Sequence, residues 1–303
     1  MTVEGSVTIE NTLDVQAIAN VCVVTGDVIV AANGMTTFSL PLLASVGGSV
    51  AITNNPALTS ISLPVLASVG GRVAVQGTAL TSISLPVLAS VGGSVSVQGN
   101  PALTSISLPV LARSVGGSVD IQGNDALTSI SLPVLASVGG NVDISGNPTL
   151  TSCSLPALAS VGAVLIFNNA ALTSISLPVL ASVGGEVAIT NNATLTSISL
   201  PLLESAAGGV FIESNAALTS ISMPVLASVG RDVDISNNST LTSISMPVLA
   251  SVGGSVGIYD NATLTSISLP VLASVGGNVD IQGNDALTIC TGALIVNVGD
   301  CVQ

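Results

Sequence analysis

One phrase of about 23 residues recurs along most of the chain. It reads LTSISLPVLASVGGRVAVQGTA from Leu58 to Ala79, and it returns with small changes from near residue 35 to near residue 287. A fixed period of this length is typical of a solenoid, in which every repeat is one coil that contacts only its neighbours. The period therefore makes an ordinary globular packing of the 303 residues improbable. A leucine begins each repeat: Leu58, Leu80, Leu103, Leu127, Leu150, Leu172, Leu195, Leu218, Leu241, Leu264 and Leu287.

Short strands fit the spacing of apolar residues within the phrase better than helices do. Ile61 and Leu63 alternate with polar residues at period two, as in a strand with one buried face. Pro64 suits a corner, where its missing N–H breaks no ladder, and Gly70 with Gly71 marks another corner. We therefore predict an all-β solenoid of about 12 or 13 coils with almost no helix.

The repeat pattern divides the chain into three parts. Residues 1–34 are predicted to be N-terminal capping coils, since GSVTIENTL and TGDVIVAANGM echo the later phrase. Residues 35–286 are the regular 23-residue repeats, and residues 287–303 are the C-terminal cap. Two coils differ in length, because Arg113 is an insertion in LARSVGG and the run SVGAVLIF from Ser160 lacks a glycine. We expect both coils to bulge at a corner.

An asparagine recurs at the third corner of nearly every coil. Stacking brings these side chains into register, where their amides can bond to backbone groups that no strand satisfies. We predict that this asparagine column is structural. The coil that ends at Ala79 reads QGTA and lacks its asparagine. The column comprises Asn33, Asn55, Asn100, Asn124, Asn147, Asn169, Asn192, Asn215, Asn238, Asn261 and Asn284.

Composition excludes several classes of function. Arg72, Arg113 and Arg231 are the only cations against 16 acidic residues, which gives a net charge of −13. Nucleic acid is therefore not an expected partner, because affinity for phosphate rests on Lys and Arg. The chain has no histidine and no nucleophile motif, so we expect no enzymatic activity, no cofactor and no zinc site. Its apolar runs are too short for a transmembrane segment, and MTVEGSVTIENT has no signal-peptide pattern.

Two of the four cysteines are placed to pair. Cys290 takes an inward position after Leu287, and Cys301 follows within the C-terminal cap. We predict a disulfide that pins the last coil in an oxidising compartment. Cys153 replaces the inward isoleucine of its coil, and we interpret it as a free thiol that packs as a small hydrophobe.

The strand V-x-I carries the most variable outward positions in an otherwise copied sequence. Variation there indicates a face tuned for a partner, and aromatic side chains on a polar face can anchor one. Adjacent carboxylates such as Asp120 and Asp143 could bind calcium, although solvated acids that keep the surface soluble are the preferred interpretation. The candidate partner-binding residues are Asp120, Asp143, Phe167, Phe211, Asp234 and Tyr259.

The phrase TSIS provides an alternative functional face. It forms columns of Thr59, Ser60 and Ser62 equivalents, a flat and uncharged lattice of hydroxyls. Such a lattice is similar to the faces of ice-binding solenoids, but here most of its members are serines, which lack the methyl group of threonine. Ice binding is therefore the second hypothesis.

The spacing V-x-I-x-x-N-x-x-L-x-x-I-x-L from Val50 is close to the leucine-rich-repeat pattern. The run VCVVTGDVIV followed by repeated LxSVGGxVxIxxNxxLTSISLPxL more closely resembles the receptor L domain of growth-factor-receptor ectodomains. This resemblance implies a right-handed β-solenoid and an extracellular or surface-associated location. The first functional hypothesis is therefore a non-enzymatic, surface-displayed spacer, adhesin or assembly and recognition scaffold. Its partner would be a protein or glycan surface, or another copy of the chain.

Overall fold

The computed structural model describes residues 1–111, 114–295 and 298–301. These residues form about 13 coils of short parallel strands, with about 3% helix. The all-β solenoid predicted from the repeat is therefore confirmed. The chain divides into two compact units, Met1–Pro156 and Ala157–Gln303, called here the first and second units. The insertion at Arg113 lies outside the described residues, and the three-part division of the chain stays a prediction.

Each regular coil contains three strands, named here from their sequences the SV strand, the VxI strand and the SIS strand. In the first unit the SV strands are Thr2–Val3, Val23–Val24, Ser45–Val46, Ser68–Val69, Ser90–Val91 and Ser114–Val115. The VxI strands are Val7–Ile9, Val28–Val30, Val50–Asn55, Val73–Thr78, Val95–Gln98 and Val119–Gln122, and Ser137–Ser145 joins both types in one strand. The SIS strands are Thr37–Ser39, Ser60–Ser62, Ser82–Ser84, Ser105–Ser107, Ser129–Ser131 and Ser152–Ser154.

The second unit repeats this arrangement. Its SV strands are Ser182–Val183, Ser205–Ala206, Ser228–Val229, Ser251–Val252 and Ser274–Val275. Its VxI strands are Val187–Thr190, Val210–Glu213, Val233–Ser236, Val256–Tyr259 and Val279–Gln282, and Ser160–Phe167 joins both types. Its SIS strands are Ser174–Ser176, Ser197–Ser199, Ser220–Ser222, Ser243–Ser245, Ser266–Ser268 and Ile289–Thr291.

Strands of one type pair in parallel from coil to coil, so each position of the phrase forms a column. Val73 pairs with Val95 in the VxI strands, and Ile83 pairs with Ile106 in the SIS strands. Successive side chains of a strand point to opposite faces. The same positions therefore face the interior in every coil.

Columns of leucine, isoleucine and valine fill the interior of each unit. Leu58, Leu103 and Leu195 begin their repeats and are completely buried. Burial of one such side chain contributes about 1.5–3 kcal/mol. Truncation of Leu103 to alanine would leave a cavity and cost about 2–5 kcal/mol.

The asparagine column joins each coil to its neighbours through buried hydrogen bonds. Asn192 is completely buried, and its side-chain amide donates to the carbonyl of Ile166 in the preceding coil at 2.9 Å. Its Oδ1 accepts from the backbone N–H of Asn169 at 3.1 Å. The backbone N–H of Asn192 in turn donates to Oδ1 of Asn215 at 3.1 Å. Each asparagine therefore satisfies turn groups that the strands leave unpaired.

Two positions in this column differ from the sequence prediction. Thr78 takes the place of the missing asparagine, and its hydroxyl donates to Oδ1 of Asn100 at 2.7 Å. The prediction that Asn33 belongs to the column is wrong, because Asn33 is exposed. Ala32 lies there instead, and its N–H donates to Oδ1 of Asn55 at 2.7 Å. The turn in that coil is one residue shorter than the asparagine spacing implied.

The residue before each column asparagine adopts a left-handed backbone. Gly99 and Gly146 have φ near +60°, as do Asn54, Ser214 and Asp260. This region costs most side chains energy but suits glycine, asparagine and aspartate. The sequence preference at this position therefore follows from the turn that aims the next asparagine inward.

Paired glycines let the corner between the SV and VxI strands stack closely. A Cβ on Gly92 would lie 2.2 Å from the carbonyl oxygen of Gly70 in the preceding coil. The coil that lacks a glycine does not bulge as expected, because Ser160–Phe167 runs through the corner as one strand. The next coil has more room there, since a Cβ on Gly184 would meet nothing closer than 3.6 Å.

The two ends of the chain depart from the regular coil. The first coil has a six-residue helix, Thr12–Ala17, in which Asn11 and Asp14 form a capping box. A 3₁₀ helix, Gly299–Cys301, contacts the last VxI strand, and a disulfide joins Cys290 to Cys301 with their Cα atoms 5.6 Å apart. No helix in the described part of the chain is long and apolar enough to cross a membrane.

Candidate functional site

In each unit the outward side chains of the VxI strands form two columns, called here the variable face of that unit. The first column lies between the inward valine and isoleucine, and the second column follows the isoleucine. The predicted residues Asp120, Asp143, Phe211 and Asp234 lie in the first column. Phe167 and Tyr259 lie in the second. All six are partly buried.

The first unit carries a pair of acids on this face. Asp120 and Asp143 are register partners on adjacent strands. Burial and the neighbouring Asp143 both raise the pKa of the Asp120 carboxyl above its ordinary value. Gln122 donates to Oδ2 of Asp143 at 2.7 Å, while Oδ1 of Asp143 is buried without a hydrogen-bond partner. No three Asp, Glu, Cys or His side chains of the described residues converge as a metal site requires. Solvated acids remain the preferred interpretation of this pair, and calcium binding remains an untested alternative.

The second unit gathers three of the six predicted residues. Phe211 and Asp234 are register partners, and Gly257 is the next member of the same column. The Tyr259 ring leans over Gly257, where a Cβ would lie 2.6 Å from ring atom Cε1. The Phe211 ring leans over Gly209 in the same way. The two glycines therefore leave room for both rings.

The carboxylate of Asp234 lies in this aromatic setting. The Tyr259 hydroxyl donates to its Oδ2, and its Oδ1 is buried without a hydrogen-bond partner. The hydrogen bond to Asp234 is the main cause that raises the pKa of Tyr259 to about 12, and burial adds to the shift. Glu213 stands nearby in the second column, and burial together with Asp234 raises the pKa of its carboxyl.

A surface depression of about 380 Å³ opens beside this cluster. Phe211, Asp234 and Tyr259 line it together with Asp232 and Asp280. A second depression, of about 410 Å³, shares the Phe211 and Asp232 walls and also includes Glu186 and Arg231. The site therefore combines aromatic side chains with several carboxylates.

Some of the predicted residues stay apart, and some participants were missed. Phe167 pairs with Thr190, and the structure does not join it to the Phe211 depression. Glu213 and Asp232 were not predicted. The sequence could have identified Glu213, because it lies two residues after Phe211 and two residues of a strand at that spacing point to the same side.

The SIS strands expose the alternative face. Thr196 is exposed, but its hydroxyl donates to the carbonyl oxygen of Thr173 in the preceding coil at 2.9 Å. Thr59 bonds to Thr36 in the same way at 3.1 Å. These threonine hydroxyl protons are used in hydrogen bonds between neighbouring coils, so they are not available to donate to ordered water.

An apolar ridge that the sequence analysis did not identify follows the proline corner. The residue after each proline is valine or leucine in most coils, and ten such side chains are between 37% and 49% exposed. Exposed apolar side chains become a feature of interaction sites when they form a large contiguous patch. The ridge consists of Leu42, Val65, Val87, Val110 and Val134 in the first unit and of Val179, Leu202, Val225, Val248 and Val271 in the second.

Cys153 is a free cysteine in its SIS strand. Burial raises the pKa of its thiol to about 12, so little thiolate is present near neutral pH. This residue therefore has the surroundings of a packing cysteine rather than of a reactive one.

Comparison with known proteins gives structural likenesses only. No protein-family model matches the chain, and no curated protein matches it. A leucine-rich repeat protein from Bacteroides ovatus has a TM-score of 0.41 at 14% identity, over 86% of this chain and 85% of that one. A leucine rich cell surface protein from Faecalibacterium prausnitzii has a TM-score of 0.33 at 12% identity, over 95% of this chain and 83% of that one. At identities and scores this low, neither likeness says what this chain does.

Proposed function

We propose that this chain is a non-enzymatic recognition scaffold, which displays the variable face to a protein or glycan surface outside the cell. The observation that supports it most is the meeting of Phe211, Asp234 and Tyr259 at one depression. Each of the three departs from its column neighbours in a chain that otherwise repeats itself. Aromatic side chains beside a shielded polar group are typical of the anchors of binding interfaces.

The rest of the molecule suits the role of a support. The inward columns and the asparagine column hold the VxI strands in parallel register, so that side chains on the face have fixed positions. A rigid base reduces the entropy lost on binding. The surface-displayed location belongs to the same proposal and rests on the resemblance of the repeat to extracellular modules.

The test is a binding screen with matched variants. The purified chain is applied to glycan and peptide arrays, and every hit is measured again with Phe211→Ser/Tyr259→Ser. The control variant, Ser220→Tyr/Ser243→Tyr, alters exposed residues of the SIS face in the same unit. Circular dichroism first establishes that both variants fold.

We expect the first variant to lose the hits and the control to keep them. Hits that survive in the first variant, or that only the SIS-face variant loses, would overturn the proposal. An absence of hits on both arrays would also count against it.

A further inference from the structure

We infer that the depression between Phe211 and Tyr259 receives an arginine side chain of a partner protein. This inference rests on the proposed function and names the chemistry of the partner. It is carried by the charge of the depression walls and by the position of the two rings.

The walls are negatively charged. Asp232, Asp234 and Asp280 line the depression, and none of the residues that line it is Lys or Arg. Glu213 lies close enough to Asp234 for the two charges to interact. Neighbouring carboxylates repel one another unless a cation lies between them. The complementary ligand is therefore positively charged.

The donors within the site compensate these charges only in part. Asp232 accepts from the backbone N–H of Ser255 at 2.7 Å, and Asp280 accepts from Gln282 at 2.5 Å. Asp234 has the Tyr259 hydroxyl at Oδ2 and no partner at Oδ1. All of these donors are neutral, and an unpaired carboxylate oxygen away from water is costly. A bound cation would lower that cost.

The aromatic rings distinguish an organic cation from a metal ion. Phe211 and Tyr259 both line the depression, so a cation that enters it comes close to their rings. A cation over a ring face is attracted by the ring quadrupole. A metal ion needs several converging ligands, and the described residues contain no such group of three acids, cysteines or histidines.

Arginine fits these walls better than lysine does. Its planar guanidinium stacks on an aromatic face and holds its water weakly, whereas an ammonium group is a strongly hydrated point charge. Its alkyl chain can also pack along the rings. Oδ1 of Asp234 is buried in the structure, so a guanidinium in the depression acts on this oxygen through its charge rather than by direct contact.

The chain contains its own optical probe for a test. Tyr259 is the single tyrosine, and there is no tryptophan, so tyrosine fluorescence reports from the site alone. The ligands are the peptide acetyl-Gly-Gly-Arg-Gly-Gly-amide and the same peptide with citrulline, which has the shape of arginine without the charge. Titrations of the whole chain at low and at high salt give the two affinities.

We expect saturable quenching with the arginine peptide that weakens as salt increases, and at least roughly fivefold weaker binding of the citrulline peptide. Asp234→Asn and Phe211→Ala should each weaken arginine binding by a similar factor. Glu204→Gln removes one exposed charge elsewhere in the second unit and should leave the affinity unchanged. Equal affinities for the two peptides, no saturable binding, or equal losses in Asp234→Asn and Glu204→Gln would each overturn the inference.

The peptide titration and the array screen can refute the arginine site and the proposed function independently of each other. If the array hits are lost in Phe211→Ser/Tyr259→Ser but none of them contains arginine, the proposed function stands and the arginine site is ruled out. If the arginine peptide binds at Tyr259 but the array hits are unchanged in Phe211→Ser/Tyr259→Ser, the arginine site stands and the proposed function falls.

Discussion

The carboxylate of Asp300 accepts a hydrogen bond from the backbone N–H of Asn284 at 2.7 Å and a second from its side-chain amide at 3.2 Å. Elsewhere in the column these donors bond to the asparagine of the following coil, as Asn192 does to Asn215. Asn284 is the last asparagine of the column, so Asp300 takes the place of the next one. The Cys290–Cys301 disulfide holds the residue beside Asp300 against the last coil.

Loss of this terminal acceptor should destabilise the last coil. Asp300→Ala leaves the backbone N–H of Asn284 without its acceptor, while the side-chain amide keeps the carbonyls of Ile258 and Gln282. We expect this change to lower the free energy of unfolding by about 1–3 kcal/mol. Asp300→Asn keeps an acceptor oxygen of the kind that the column uses, so its cost should be smaller. Urea unfolding monitored by circular dichroism gives both values, and equal losses in the two variants would contradict this assignment.

An asparagine in the interior of the column should matter more than a threonine of the SIS face. Asn192→Ala removes buried hydrogen bonds to both neighbouring coils, and we expect a loss of about 1–3 kcal/mol. Thr196→Ala removes one hydrogen bond at an exposed residue, and its cost should stay below about 1.5 kcal/mol. Chemical denaturation gives the loss of unfolding free energy in each variant. An equal loss in Thr196→Ala and Asn192→Ala would contradict the prediction.

The glycine corner should tolerate a methyl group at one coil and not at another. Gly92→Ala places a Cβ 2.2 Å from the Gly70 carbonyl, and forced packing of this kind costs about 1–3 kcal/mol. The Cβ of Gly184→Ala would meet nothing closer than 3.6 Å, and Ala207 already has this position in the next coil. We expect it to be neutral or slightly stabilising. Thermal unfolding of both variants decides the matter, and a similar drop in Tm for the two would show that the corner does not set the spacing.

The ionisation of Tyr259 should report its bond to Asp234. Because the protonated hydroxyl donates to Asp234, the pKa of Tyr259 is raised from 10.0 to about 12. The stability from this bond is complete below pH 10 and is lost as the pH rises toward 12. Tyrosinate absorbance, free of other tyrosines, should show a midpoint near 12 that falls in Asp234→Asn. An unchanged midpoint in that variant would contradict the pairing.

The SIS face should not bind ice. Its threonine hydroxyls donate to the backbone of the preceding coil, and its other members are mostly serines. We expect no thermal hysteresis from the purified chain. Clear hysteresis that Ser82→Tyr/Ser105→Tyr removes would restore ice binding as the function.

The period of the sequence by itself determined the coils, their inward columns and their three corners. Near-identical neighbours leave few alternatives, because each strand buries its apolar set in one register only. The asparagine column could also be predicted from Asn55 to Asn284, since an amide repeated at a turn has backbone groups to satisfy. The irregular coils limited this reasoning, because a residue gained or lost in a turn changes which side chain enters the column. Ala32 and Thr78 therefore had to be located by the structure.

Only the tertiary structure decided which outward residues meet. Tyr259 reaches Asp234 on the adjacent coil because its ring leans over Gly257, and the direction in which a side chain leans is not encoded in the repeat. Asp300 reaches Asn284 because the last turn folds back over the coil, a path without a repeated pattern. Periodic sequence sets positions along the coils, whereas contacts between non-repeated side chains depend on side-chain conformation and on the space that glycines leave.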